Sequence, residues 1–337
     1  MAYNNVSPPL LPSNDPNGYW MAHRNTVKNY IYPGMVLPTK TPTVITSPIT
    51  VPAEASHIIR LIFPDPGGRT GGTAANVDVA FPFVPYSGGV GTWYCGHNNP
   101  GVRYDMGNYW KDDGTSIPKG WLAAGKIVVL NELPGYGIRQ PETVVMAGQP
   151  IVVNADGHHY ESGFNDGGPT PNRLFTDPAI WALDYVGSLY NPSSYCIAGH
   201  SGGSDASALV AACDDRYSKV FLLQPGSSTG YGSLNDVEQW GANPAMQYSV
   251  QDNIAGLFAT SGVVQGRTTY IGYDNQDEYD PGKIGFWTNW ITSSSHWLSA
   301  CVSNASLVLH QKYGIYDGMY HNIDVDECSY VLSQCSN

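Results

Sequence analysis

The sequence predicts an α/β fold: a mostly parallel central sheet flanked by helices, entered through an antiparallel β hairpin and preceded by an extended N-terminal arm. Three observations carry this expectation. From about residue 120, apolar runs of strand length alternate with helix-like segments, the pattern of strands buried on both faces. Ahead of them, "HIIRLIF" (His57–Phe63) and the alternating "NVDVAFPFV" read as two antiparallel strands joined through a glycine-rich turn. Finally, Gly199-His200-Ser201-Gly202-Gly203 sits between a strand-like run and a run of good helix formers.

Composition narrows the function classes. Charged residues make up only 13% of the 337, while Gly, Pro and Tyr number 38, 25 and 23, so the chain is loop-rich and weakly charged for a globular protein. A net charge of −12 with no Lys/Arg cluster argues against nucleic acid, whose phosphates need clustered cations. No apolar run approaches the length of a membrane span. The start, "MAYNNVSPPLLPSNDPNGYW", has neither a basic segment nor a continuous apolar stretch, so no signal peptide is expected. Six cysteines with no C-x-x-C pair speak against a structural zinc site. Cys196 and Cys213 read as small buried residues, and Cys328, Cys335 and Cys301 as the set able to bridge in an oxidising compartment.

Residues 1–55 are rich in Pro, Thr, Ser and Asn without lasting periodicity, which reads as an extended arm ahead of a catalytic domain over 56–337. "GGRTGG" lacks the Lys-Ser/Thr of a phosphate loop and reads as a hairpin turn. "GTWYCG" is a further strand, and "GKIVVLNELPGYG" and "QPIVVNADGHHYESG" hold two fully apolar strands. Asp177–Tyr190 reads as a helix with Asp177 as N-cap and Pro178 at its first position. Then come the strand before Ser201 and three more, in "YSKVFLLQPGSS", "RTTYIGYDNQDEYDP" and "ASLVLHQKYGIYDGMYH".

The glycines around Ser201 have a steric reason. A serine at a sharp strand-to-helix bend brings the residues two before and two after it together, so Gly199 and Gly203 must lack side chains. The hydroxyl then stands at a helix N-terminus, where free N–H groups and the helix dipole favour a developing oxyanion. A serine needs a base, and the base a carboxylate to fix its tautomer. In parallel sheets such groups lie past the carboxyl ends of strands. Past "TTYIG" lie Asp274 and Asp277; past "SLVLHQKYG" lies His321.

With Ser201, Asp277 and His321 in that order, the sequence resembles the α/β-hydrolases, the superfamily of serine esterases and lipases. "GHSGG" matches the nucleophile elbow, "IGYDNQDEYDP" the acid loop, "GMYHN" the histidine loop and "LNELPGYG" the strand and loop supplying an oxyanion N–H. "VNADGHHYESG" resembles the family's strand that ends in Asp and a glycine turn. The resemblance implies carboxylic ester cleavage on a small or polymeric substrate. Ser201 would be nucleophile, His321 base and Asp277 acid, with Asp274 as the alternative acid, and no metal or organic cofactor is needed. The N–H groups of Gly202 and Leu133 would hold the oxyanion. The family's His-Gly is replaced here by Asn131-Glu132.

Other motifs read more plainly. "DNQDEYD" misses the spacing and central glycine of an EF-hand. His158 and His159, being adjacent, make a poor metal pair. Trp287, Trp290 and Trp297 recur at spacings of three and seven, a core pattern or a lid over the acyl pocket. A second reading stays open: a structural or binding protein on a hydrolase fold, such as a virion or surface-assembly component, associating through residues 1–50 and lying outside the cell without a leader.

Overall fold

The computed structural model describes residues 16–95, 110, 112, 114–139, 142–153, 168–224, 262–264, 266–274, 307–312, 323 and 325–335. Eleven strands are described: β1 (Thr43–Thr46), β2 (Ala55–Phe63), β3 (Ala75–Pro82), β4 (Gly89–Tyr94), β5 (Ile127–Asn131), β6 (Glu142–Met146), β7 (Gln149–Val153), β8 (Ser194–His200), β9 (Lys219–Leu223), β10 (Thr268–Asp274) and β11 (Leu307–Lys312). Nine of them form one sheet in the order β1-β2-β3-β5-β4-β8-β9-β10-β11. The pairings from β5 through β4, β8, β9 and β10 to β11 are all parallel. Those among β1, β2, β3 and β5 are antiparallel. The expected hairpin is therefore β2–β3, and its register is fixed by Arg60, which grips the fully buried Asp78 opposite it with bonds of 2.9 and 2.7 Å.

Among the described residues there are five α-helices: α1 (Pro16–Ile31), α2 (Ile117–Ala123), α3 (Thr170–Tyr190), α4 (Gly202–Cys213) and α5 (Val325–Cys335). Because side chains alternate along a strand, β5 sends Ile127 and Val129 into a core shared with α1, α3 and α4. Val128 and Leu130 go to a second core, shared with α2 and α5. Both faces of β4, β5, β8, β9 and β10 contribute to these cores, which is why such strands read as near-continuous apolar runs. No helix among the described residues is long and apolar enough to cross a membrane.

Three expectations need correcting. Residues 16–31 form α1, not an extended arm, and β1 extends the sheet at its edge; residues 1–15 lie outside the described residues. The helix buries Trp20, Val27 and Ile31, but the same face carries Arg24 and Lys28, whose stems are covered while their heads reach Asp215. Two cations on the inner face hide the apolar periodicity. Second, "QPIVV" is not a core strand: β7 pairs antiparallel with β6 in a separate two-stranded sheet, with Val152 half exposed.

Third, α3 begins at Thr170, so Asp177 is an interior residue and not a cap. Its buried carboxylate accepts from the Tyr32 hydroxyl at 2.9 Å, the Gly67 N–H at 3.1 Å and the Arg173 guanidinium at 3.0 Å. Burial nevertheless pushes this carboxyl above its ordinary range. Pro178, inside the helix, has no N–H for the Leu174 carbonyl; Arg139 donates to that carbonyl instead, at 3.0 Å. Cys95, Cys196, Cys213, Cys328 and Cys335 are buried and no disulfide joins any two of them, so Cys328 and Cys335 do not bridge to each other. Cys301 is outside the described residues.

Candidate active site

Ser201 occupies the junction between β8 and α4 with φ 56° and ψ −129°, a region that residues with a side chain rarely enter. The strain is held from both sides. Its N–H extends the sheet ladder to the Leu223 carbonyl at 3.0 Å, and its own carbonyl accepts from the Ser204 N–H at 2.8 Å. The buried Ser204 hydroxyl lies 2.6 Å from the carbonyl oxygens of both Gly199 and Leu223. The glycines are sterically required. A Cβ on Gly199 would stand 2.0 Å from the Gly203 carbonyl oxygen, and one on Gly203 would stand 2.4 Å from that of Tyr94. The Ser201 side chain is left partly exposed while Gly202 and Gly203, in the first turn of α4, are buried.

A clamp that the sequence does not announce lies beside the elbow. His200 Nε2 donates to Gln224 Oε1 at 2.8 Å. Gln224 is fully buried just past β9 at φ 45°, and its N–H is bonded to the Gly272 carbonyl at 2.8 Å. Strands β8, β9 and β10 are thereby tied at the level of the nucleophile. The partners are 24 residues apart, so only strand order could have revealed them.

Leu133 follows β5, and its place in the strand order matters. Register puts Asn131 of β5, Tyr94 of β4 and Gly199 of β8 side by side at one level. Leu133 and Ser201 each follow that level by two residues, past the ends of strands that β4 separates. The Leu133 side chain is fully buried. The strand beside the elbow is β4, and the carbonyls of Tyr94 and Cys95 are the atoms that Gly203 touches. An oxyanion donor must come within about 3 Å of the oxygen, and β4, not β5, is the strand that adjoins the elbow.

The Leu133 loop is itself firmly built. Pro134 and Gly135 take the centre of a turn closed by the Tyr136 N–H on the Leu133 carbonyl at 3.0 Å, with Gly135 at φ 79°. The buried Arg139 donates to the Glu132 carbonyl at 3.2 Å and to Glu142 at 2.6 Å. Glu142 also accepts from the Gly135 N–H at 3.3 Å. Burial pushes the Glu142 carboxyl up, with Arg139 drawing it back.

Of the expected acids, Asp274 is the last residue of β10. Asp277 and His321 lie outside the described residues, as do His158, His159, Trp287, Trp290 and Trp297. Among the described residues no group of three or more His, Cys, Asp or Glu is placed to hold a metal ion.

No family model and no curated protein matches the sequence. Solved structures do. The chain is similar to a methylesterase (TM-score 0.63, 13% identity), covering 96% of this chain and only 64% of that one. It is similar to acetyl xylan esterase 1 from Thermoanaerobacterium sp. JW/SL YS485 (TM-score 0.54, 14% identity, 96% and 93% covered). It is also similar to a glucuronoyl esterase from Teredinibacter turnerae T7901 (TM-score 0.56, 14% identity, 95% and 85% covered). At such identities the likeness is one of fold, and the strand order and the elbow at Ser201 agree with it: the chain has the α/β-hydrolase fold.

Proposed function

We propose that the protein is a serine hydrolase of carboxylic esters, and that its substrates are esters carried on carbohydrate. The single observation that carries the first part is the backbone of Ser201: a strained, glycine-walled serine at a strand–helix junction, with a helix N-terminus beneath it. Strain of this kind persists only where the surroundings enforce it, and it concentrates at reacting groups. The substrate class follows from neighbours named acetyl xylan esterase and glucuronoyl esterase, which share the fold over nearly all of this chain.

In this reading His321 takes the Ser201 proton as Oγ attacks the ester carbonyl. Asp277 orients the imidazole, with Asp274 as the alternative acid. The Gly202 N–H, at the start of α4, faces the oxyanion. The second donor comes from the segment that follows β4 and Cys95, not from Leu133, because β4 is the strand beside the elbow. Collapse of the tetrahedral intermediate expels the alcohol, which receives its proton from His321. Water then attacks the acyl-serine, giving up a proton to His321, and the acid leaves as the serine is reprotonated.

The test compares wild type with Ser201→Ala on 4-nitrophenyl acetate, acetylated xylo-oligosaccharides and a glucuronate methyl ester. Turnover of at least one carbohydrate ester, lost about 10⁴-fold or more in the variant, is expected. Equal turnover by both proteins would sink the reading. Activity on 4-nitrophenyl acetate alone would remove the carbohydrate part.

A further inference from the structure

We propose that Cys196 and Cys335 form a redox modification site: two buried thiols placed to close into a disulfide that staples the end of α5 to β8. The inference goes beyond the ester-hydrolase reading and does not depend on it.

The neighbours on both flanks bring the two sulfurs together. Cys196 lies on the α2 and α5 side of β8, where it shares one buried core with Cys335. On one flank, register pairs Cys196 with Lys219 of β9. The Lys219 ammonium donates to the carbonyl of Gln334, the residue before Cys335. On the other flank, register pairs Cys196 with Gly91 of β4, where a Cβ would stand 2.2 Å from the Trp121 ring of α2. That helix is in turn fitted to α5: a Cβ on Gly120 would stand 2.3 Å from Leu332, about one turn before Cys335. The end of α5 is therefore held against Cys196, and the two thiols are hydrogen-bonded to each other.

The pair is chemically asymmetric. Cys335 donates its hydrogen bond to Cys196, and with the Lys126 and Lys219 ammonium groups nearby this holds the Cys196 thiol below its ordinary range. Burial, and then the same bond, push the Cys335 thiol up. Only a thiolate attacks sulfur, so in the closed structure Cys196 is the nucleophile. The oxidant in this inference is a small-molecule disulfide. Cys335 is the last residue of α5, and helix ends fray. In the opened end its thiol loses a proton to water and attacks one sulfur of the disulfide, whose S–S bond breaks and releases a thiolate. When the end closes, the Cys196 thiolate attacks the Cys335 sulfur of the mixed disulfide and expels the second thiolate. The two protein thiols give up two protons and two electrons, and the small disulfide is reduced to two thiols. The finished bond needs the sulfurs about 2 Å apart, a short movement for thiols already in contact.

The rival account makes both cysteines small fillers of the core, a common role for free cysteine. A filler needs neither a partner thiol nor two ammonium groups beside it. The bridge would join residues far apart in the chain, and so constrain the unfolded state over a long loop. Cys196 is near the start of β8, away from the end that carries Ser201.

The experiment incubates the full chain with oxidised glutathione, alkylates the remaining thiols, and maps the peptides without reduction by mass spectrometry. Expected is a Cys196–Cys335 cross-linked peptide that dithiothreitol abolishes. Oxidised wild type should melt about 3–5 °C above the reduced protein, and Cys335→Ala should show no such shift under the same treatment. A Cys196 and Cys335 that both remain alkylated after oxidation, or a bridge from either to a different cysteine, overturns the inference. So does a bridged protein that melts at or below the reduced one. If Cys335→Ala does not fold, Cys335→Ser replaces it, and the peptide map on wild type decides in either case.

Discussion

Adding one methyl group at Gly199 tests the elbow where it is tightest. In Gly199→Ala the new Cβ would stand 2.0 Å from the Gly203 carbonyl oxygen, 2.4 Å from its carbon and 2.5 Å from the Ser207 hydroxyl. Two of these are backbone atoms of α4 and the third belongs to a fully buried side chain, so no flexible group can swing aside. Restoring ordinary contact requires α4 to withdraw by roughly 1 Å. Overpacking a rigid site costs about 3 kcal/mol, the upper end of the usual range. For a chain of this length that is about 4 °C in Tm. The nucleophile moves with its helix, and a misplacement of about 1 Å costs on the order of 100-fold in reactivity. The assay is paired: thermal melting, and the rate at which a fluorophosphonate probe modifies Ser201. If Gly199→Ala melts within about 1 °C of wild type and reacts at the same rate, the close approach of strand and helix is wrong.

Two further substitutions probe the frame around the site. Gly187, inside α3, has room for a side chain, its nearest neighbour being the Tyr195 hydroxyl at 3.6 Å; Gly187→Ala should raise stability by about 0.5–1 kcal/mol, and a lower Tm would contradict this. Glu142 gives a pH signature: burial lifts its carboxyl above the ordinary 4.5. Between that value and its folded pKa the folded chain binds more protons than the unfolded one. Its contribution to stability is therefore full below 4.5 and declines as pH rises through the folded pKa. Glu142→Gln should accordingly lose less Tm than wild type as pH is raised from about 4.5 to 7. Identical slopes for the two proteins would refute the role given to burial.

What the sequence made legible was whatever depends on short-range pattern. Strands β5, β8, β9 and β10 are apolar runs because both their faces are covered, and the β2–β3 hairpin alternates as antiparallel strands do. The elbow was readable because its steric rule acts within five residues. Three things were not. Helix α1 hid behind Arg24 and Lys28 on its inner face. The true start of α3 was masked by Asp177-Pro178, which imitates a helix start while the carboxylate is in fact buried among Tyr32, Gly67 and Arg173. Strand order was invisible: nothing in "GTWYCG" or "LNELPGYG" says which strand adjoins the elbow, and the Gln224 clamp on His200 depends on the same unseen adjacency.

The central claim is that Ser201 is an activated nucleophile, and covalent labelling tests it most directly. Wild type and His321→Ala would be treated with a fluorophosphonate probe, and the adduct located by peptide mass spectrometry. The account predicts modification at Ser201 in wild type and its loss in a folded His321→Ala protein. Folded wild type that takes up no probe, or takes it up at another residue, would contradict it.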